Sequence, residues 1–458
     1  MFSAHTYIDR RDKLKKSVDS GILLFMGNEE SPINYKDNCY HFRQDSTFLY
    51  FFGLDRMSLA AAIDLDSGEE IIFGNELSIS DIVWTGPQPT IADSAAEVGI
   101  KDTRPFDDLA NWLKKAVDSG KKVHFLPPYR SLNQIRLSEW LDINVGQVGS
   151  HASSDLINAV IDLRSVKSRE EVDEMAKAVD LSRKLHIKAR EMCHSGVVES
   201  QVSGVLHEIV KANHGDFAYP PIITINGQTL HNHHYGNTLT NGKMLLVDAG
   251  AEVQSHYAGD ITRTFPVDGK FSDQQRNIYQ IVLESEVEAI NSCRPGVTYQ
   301  EIHLDAMTYL AGGLKGLGIM KGDVAEAVAL GAHALFCPHG LGHMIGLDVH
   351  DMEDLGEDLV GYGDGTKRSE LFGTKALRLG RELKEGFTFT VEPGLYFIPE
   401  LIDIWQTEKK FEEFINYDEV AKYRGIGGIR IEDNVVITPL GSEIIGKPIP
   451  KELSEIEF

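Results

Sequence analysis

Residues 244–266, MLLVDAGAEVQSHYAGDITRTFP, decide how the second half of this chain is read. MLLVDAGA is apolar and rich in strand formers, so Asp248 is presented at a strand end, and Asp260 follows twelve positions later in YAGDITRTF. Taken alone, DAG is an ordinary turn and RIED a solvated strand end. Three further segments change that balance: His343 in PHGLGH, Glu392 in TVEPGLY and Glu432 in GGIRIED. Four carboxylates and one imidazole form a mostly hard, oxygen-rich ligand set suited to ions such as Mn²⁺, and their four negative charges balance two divalent cations. Such a pair clamps and deprotonates a water. FTFTVEPGLYF and GGIRIEDNVVI have the same strand character, and a rigid sheet holds bridging carboxylates to the tolerance two metals require.

The chain has 458 residues, of which 42% are hydrophobic and 25% charged, more than one hydrophobic core usually takes, so two domains are expected. A formal charge of −24 argues against nucleic acid, whose phosphates demand clustered Lys and Arg. MFSAHTYIDRRDKLKK lacks an apolar signal region and GILLFMG is too short to span a bilayer, so a cytoplasmic protein with no membrane partner is expected. Cys39, Cys193, Cys293 and Cys337 form no CxxC pair and read as reduced, mostly buried thiols.

In the first part, GILLFMG, SLAAAIDL, EEIIFG and KKVHFLP alternate with polar helical stretches such as FDDLANWLKKAVDSG, the pattern of an α/β domain. A boundary falls near Ile161 to Ser168, where Ser168-x-x-Glu171 opens a long helix with Val172, Met175, Ala176 and Val179 on its apolar face. Capping boxes at Ser272 to Gln275 and Thr298 to Glu301, and Val202, Val205, Leu206, Ile209 and Val210 at helical spacing, mark further helices. The Gly- and charge-rich stretch between His350 and Glu392 reads as a long surface or active-site loop, and no internal repeat is visible.

The order, flanking glycines and spacing of the five segments resemble the pita-bread metallopeptidases, specifically Xaa-Pro aminopeptidase (aminopeptidase P) and long-form prolidase. The resemblance runs from about Tyr40 to Ile437 and is densest in DAGAEVQSHYAGDITRTFPVDGKFS, PHGLGHMIGLDVHD and YRGIGGIRIEDNVVIT. It implies an α/β amino-terminal domain over residues 1–163 and an α+β pita-bread (creatinase/aminopeptidase-like) catalytic domain over 164–458. It also implies two divalent metal ions, most readily Mn²⁺, with Asp248 on one, Asp260 and Glu432 bridging, and His343 and Glu392 completing the second. Glu392 then shuttles the proton and His350, seven residues after His343, polarises the scissile carbonyl. His231 in QTLHNHHYGN lines the substrate site, with His233 and His234 close enough to compete, and His339 is a third active-site histidine. Arg430 and Tyr396 support the glutamates; a buried Arg or Tyr satisfied by a neighbouring carboxylate is the bland alternative.

YHFRQDSTFLYFFGL resembles the signature of the family's amino-terminal domain, its aromatics core and Arg43 with Asp45 a structural ion pair. Trp84 in DIVWTGPQP matches a tryptophan that reaches a neighbouring subunit's active site, where a flat ring suits proline; a locally packed Trp weighs equally. The resemblance implies a homodimer or homotetramer that acts on proline-containing peptides, as an exopeptidase cleaving between an amino-terminal residue and proline. Proline carries no N–H, so a protease that binds substrate as a hydrogen-bonded strand loses a contact there. Arg378 in ALRLGREL matches the arginine with which long prolidases grip a dipeptide's carboxylate, although a solvated loop Arg is the commoner fate. The resemblance leans to aminopeptidase P over prolidase. Methionine aminopeptidases share the metal set without needing the large first domain. A non-catalytic binding protein on this fold, or a creatinase-like C–N hydrolase, is disfavoured because all five ligand positions are present.

Overall fold

A computed structural model describes residues 2–363 and 365–457. It divides into two compact units, one running to Arg164 and including Asp354–Gly356, the other comprising Ser165–Glu353 and the chain from Glu357 onward.

The first unit is built on a five-stranded mixed sheet in the order Asp102–Arg104, Glu70–Gly74, Leu59–Asp64, Ile22–Met26, Val123–His124. The three middle strands pair antiparallel and both outer ones parallel. Leu59–Asp64, LAAAID, is buried throughout because helices cover both faces of the sheet and its small side chains let them approach. Ile22, Leu24, Ile71 and Phe73 pack on Leu109 and Leu113 from the helix Leu109–Asp118, so the apolar runs and the helix expected between them fall where the sequence pattern puts them. Phe48, Tyr50, Phe51 and Phe52 are core on the helix Ser46–Phe52. Asp45 caps that helix by accepting from Phe48 N–H at 2.8 Å, and the Arg43 guanidinium donates to Ser46 Oγ at 3.2 Å.

In the second unit the capping box at Ser168 and Glu171 starts a helix over Arg169–Glu191 that buries Met175 and Val179, with Val172 and Ala176 at the edge of that face. Helices Glu199–Ala212, Asp273–Ser292 and Tyr299–Gly316 follow, the last two opened by the boxes at Ser272 and Thr298.

The unit repeats itself in a way the sequence hides. Each half has two helices joined at a left-handed glycine, Gly196 (φ +92°) or Gly296 (φ +86°), and each second helix is tied to a later segment by the same three contacts. Gly196 and Glu199 N–H reach the carbonyls of Leu239 and Asn237 around a Val198–Thr238 bridge, while Gly296 and Tyr299 N–H reach those of Leu383 and Arg381 around a Thr298–Glu382 bridge. An antiparallel set follows in each half: Thr262–Pro266, Met244–Asp248 and Ile222–Thr224 in one, Thr388–Val391, Asp433–Thr438 and Gly441–Ile444 in the other. A bridge between Thr262 and Glu432 joins the two sets.

The stretch from His350 to Glu392 is more ordered than a surface loop. It carries the helix Glu357–Tyr362 and buries Val360, Tyr362, Leu377, Leu379 and Leu383. Among the described residues no helix is long and apolar enough to cross a membrane, and Cys193, Cys293 and Cys337 are buried free thiols.

Candidate metal centre and substrate cavity

The acids expected at strand ends converge in the second unit. Asp248 is the last residue of Met244–Asp248, opposite Thr262 in the antiparallel register. Gly250 and Gly259 make the intervening loop possible, since a Cβ on Gly250 would lie 1.8 Å from the Gly259 carbonyl oxygen. Asp260 then stands just before Thr262–Pro266, its N–H given to Asn434 Oδ1 at 2.9 Å and its carbonyl taking Asn434 Nδ2 at 2.6 Å. Glu432 faces the same strand, with Thr262 Oγ1 donating to its Oε2 at 2.6 Å. Glu392 follows Thr388–Val391, and its N–H binds the Leu341 carbonyl.

His343 is placed by a second close approach. A Cβ on Gly342 would meet the Thr390 carbonyl at 2.1 Å, so only glycine lets HGLGH lie against the strand, where Thr390 N–H donates to the His343 carbonyl and His343 N–H donates to Thr390 Oγ1. The His343 Nδ1 is 3.1 Å from the Met344 carbonyl, which only accepts, so Nδ1 carries a proton. Nε2 is thereby turned on Asp260 Oδ2 at 3.4 Å and Glu392 Oε1 at 3.6 Å. Asp260, His343 and Glu432 each offer a ligand atom within 4.8 Å of the other two, and all three are buried. This is the tautomer and donor set of a metal-ligating histidine among carboxylates.

The electrostatics fit a missing positive charge. Burial pushes the Glu392 carboxyl up to about 7, with the charges of Asp260 and Asp248 adding and those of His343 and Arg430 opposing. Burial and the same carboxylate neighbours hold Glu432 well above the ordinary range, and burial also raises Asp248. Burial acts against ionised Asp260 too, but hydrogen bonding to and charge on His343 keep it below its ordinary value. Four carboxylates crowd around His343, with the Arg430 guanidinium bound to one of them, a set that divalent cations would balance.

Arg430 donates to Thr262 Oγ1 at 3.1 Å, to Tyr396 Oη at 2.9 Å and to Asp248 Oδ2. Tyr396 Oη lies 2.9 Å from His339 Nε2, and His339 Nδ1 is 2.8 Å from the Gly340 carbonyl. Since the carbonyl takes the Nδ1 proton, His339 accepts from Tyr396, and burial with the charge of Arg430 pushes its pKa down to about 4. Both nitrogens of His339 are thus consumed in a neutral network behind Asp248. Tyr219 escaped the sequence reading: its hydroxyl sits 2.5 Å from Asp248 Oδ1 and 2.5 Å from Asp260 Oδ1, and no local motif marks it.

The cluster forms the base of a cavity of about 500 Å³. His231, His233, His339, His350 and Arg378 line it, whereas His234 is outside that lining and close over Gly236. The His350 ring meets that of His343 edge-on at 4.1 Å between centroids, and its Nδ1 lies 2.7 Å from Glu353 Oε2. Arg378 Nη1 is bound to the other oxygen of Glu353. Cys337 sits near His339, its thiol pushed up to about 12 by burial, which fits packing and not nucleophilic chemistry. Trp84 belongs to the first unit. It is 84% exposed on the helix Ile79–Thr85, which buries no residue, so local packing of that ring is ruled out.

Fold and site together define a two-domain metallopeptidase, and comparison with known proteins agrees. Residues 173–439 match metallopeptidase family M24 and residues 7–124 match the aminopeptidase P N-terminal domain. The chain belongs to metallopeptidase family M24. It is 31% identical to the Xaa-Pro aminopeptidase of Escherichia coli over 98% of this chain and 96% of that one. Human Xaa-Pro dipeptidase is 29% identical over 97% of this chain and 90% of its own. Among solved structures, E. coli aminopeptidase P with the inhibitor Pro-Leu superposes with a TM-score of 0.82 at 29% identity, covering 99% of this chain and 97% of that one.

Proposed function

We propose that this chain is a dinuclear-metal exopeptidase that hydrolyses the bond between an amino-terminal residue and a following proline. The buried Asp260–His343–Glu432 group at the base of the cavity carries this reading. Asp248, Asp260, His343, Glu392 and Glu432 would hold the metal pair, and Mn²⁺ would match their oxygen-rich donor set. When bound, such a pair would supply Lewis-acid chemistry and lower the pKa of a water.

The chain's own residues do the rest. Glu392, in the cavity wall beside His343, is placed to hold a proton and return it to the departing proline nitrogen. His350 gives its Nδ1 proton to Glu353, which leaves Nε2 for the substrate. Donation from Nε2 to a carbonyl oxygen requires a second proton on the ring, which Glu353 favours as counter-ion but which the charge of His343, burial and the charge of Arg378 oppose, holding the ring down to about 2. His231 and His233 line the cavity at the substrate end, and the Arg430–Tyr396–His339 network fixes Asp248. Trp84 completes the site of a neighbouring subunit in a homodimer or homotetramer, a role supported by the exposure of Trp84, Ile79 and Val83 on one helix. The protein works in the cytoplasm.

Prolidase activity is the second reading, favoured by Arg378 at the cavity wall. Its relatives of both kinds are about equally similar, so substrate length has to be measured. Mn²⁺-reconstituted enzyme should cleave Xaa-Pro-Xaa tripeptides with higher kcat/KM than Xaa-Pro dipeptides. The reverse order establishes the dipeptidase, and no turnover of either by protein holding two metal equivalents overturns the Xaa-Pro assignment.

A further inference from the structure

Glu353 stands three residues beyond His350 in VHDMED, where the chain turns so that Glu353 N–H approaches the His350 carbonyl and a 3₁₀ turn begins. The turn lays the carboxylate against the imidazole. Two donors converge on it: His350 Nδ1 at 2.7 Å from Oε2, and Arg378 Nη1 on Oε1. Arg378 Nη1 is also 3.0 Å from His350 Nδ1, but a guanidinium nitrogen only donates and Nδ1 already bears the proton it gives to Glu353. Both groups therefore depend on the one carboxylate.

Placement gives this contact a direction. His350 and Arg378 line the 500 Å³ cavity, whereas Glu353 lines an adjoining hollow of about 20 Å³ and holds the two from behind. The other carboxylates of that hollow have cations of their own, Asp351 bound to Lys167 at 2.8 Å and Glu357 to Arg368. Arg430, the other guanidinium facing the cavity, is committed to Asp248, Tyr396 and Thr262. Arg378 is thus the group that a carboxylate entering the cavity would meet, and Glu353 reaches it first.

We propose that Glu353 is a specificity-determining residue that weights the cavity against substrates with a free carboxylate on the proline itself. The inference rests on the Xaa-Pro reading above and deepens it. An unpaired guanidinium grips a carboxylate with two parallel donors. Glu353 occupies one arm of Arg378, and its charge repels a second carboxylate through a partly desolvated wall. A dipeptide carries that carboxylate and suffers the repulsion; a longer peptide carries an amide there and does not.

The test compares kcat/KM for an Xaa-Pro dipeptide and its carboxamide, Xaa-Pro-NH₂, with Mn²⁺-reconstituted wild type, Glu353→Gln, Arg378→Ala and the double variant. Glu353→Gln keeps the shape and removes the charge, so the dipeptide-to-amide ratio should rise about tenfold, chiefly through KM for the dipeptide. The rise should shrink in the Arg378→Ala background, where the grip is gone. A ratio that stays fixed or falls in Glu353→Gln, or a rise undiminished without Arg378, overturns the assignment while leaving the Xaa-Pro activity standing. A wild type that cleaves neither compound overturns both.

Discussion

Lys451→Met should destabilise the second unit by about 3–5 kcal/mol, because it breaks a closed set of buried charges beneath the strand that follows Glu432. Lys451 Nζ binds both oxygens of Glu286 at 2.8 Å and Asp433 Oδ2 at 2.6 Å. Arg263, fully buried, takes Asp433 Oδ1 at 2.7 Å and also holds the Glu432 and Ile449 carbonyls. Two cations thus meet two anions, and removal of Lys451 leaves Glu286 with no cation of its own in that set. Burial, with the charge of Asp433, already pushes the Glu286 carboxyl up to about 8. The sign follows: a carboxyl whose folded pKa exceeds its unfolded value near 4.5 favours folding at low pH, and this contribution is lost as pH rises from there toward 8. In Lys451→Met the folded pKa climbs further, so the Glu286 part of the gap from wild type should be nearly constant up to about pH 8 and widen above it. Thermal unfolding followed by circular dichroism should give a deficit that grows between about pH 8 and pH 9. Glu286→Gln in the same background should recover part of it by removing the stranded charge. A deficit that is flat with pH, or a double variant no more stable than Lys451→Met, would refute the reasoning.

Glu432→Ala or His343→Ala should lower bound metal and abolish turnover, which elemental analysis beside kinetics decides; full metal content with normal kcat in Glu432→Ala contradicts the ligand assignment. His350→Ala should keep its metal and lose roughly 100-fold or more in kcat/KM, as for one oxyanion donor, and unchanged kinetics would return His350 to a packing role. Trp84→Ala should raise KM without lowering Tm, since the ring has no packing to lose in its own unit; a fully active monomer by sedimentation at assay concentration is incompatible with that role.

What could be read from the sequence was what is local. Asp248, Glu392 and Glu432 each sit at the edge of a strand whose β-branched run is visible within a few residues, and the glycines beside Asp248 and His343 mark close approaches. The capping boxes at Ser168, Ser272 and Thr298 likewise mark helix starts by a contact three residues long. Four strands of the amino-terminal sheet were legible for the same reason, each falling in a short apolar run, whereas the edge strand Asp102–Arg104, DTR, carries no such signal.

Long-range contacts were not legible. Tyr219 reaches Asp248 across 29 residues and Asp260 across 41, and nothing in DFAYPPI marks the hydroxyl for that place. The internal repeat survives as backbone contacts around Gly196 and Gly296 while the side chains diverge, because the constraint is a left-handed φ and a ladder of N–H groups that most sequences can satisfy. Between His350 and Glu392, Gly and charge masked a set of buried leucines whose spacing follows no helix or strand period. That masking matters most for function. The acidic cluster is held by sheet geometry that family motifs advertise, but the wall beside His343 is assembled from this irregular stretch, where Glu353, Arg378 and the hollow behind them meet. On the proposal for Glu353, selectivity among substrates sharing one scissile bond would be set where local pattern is weakest, and a change at that wall would retune peptide length without disturbing the strands that carry the acids.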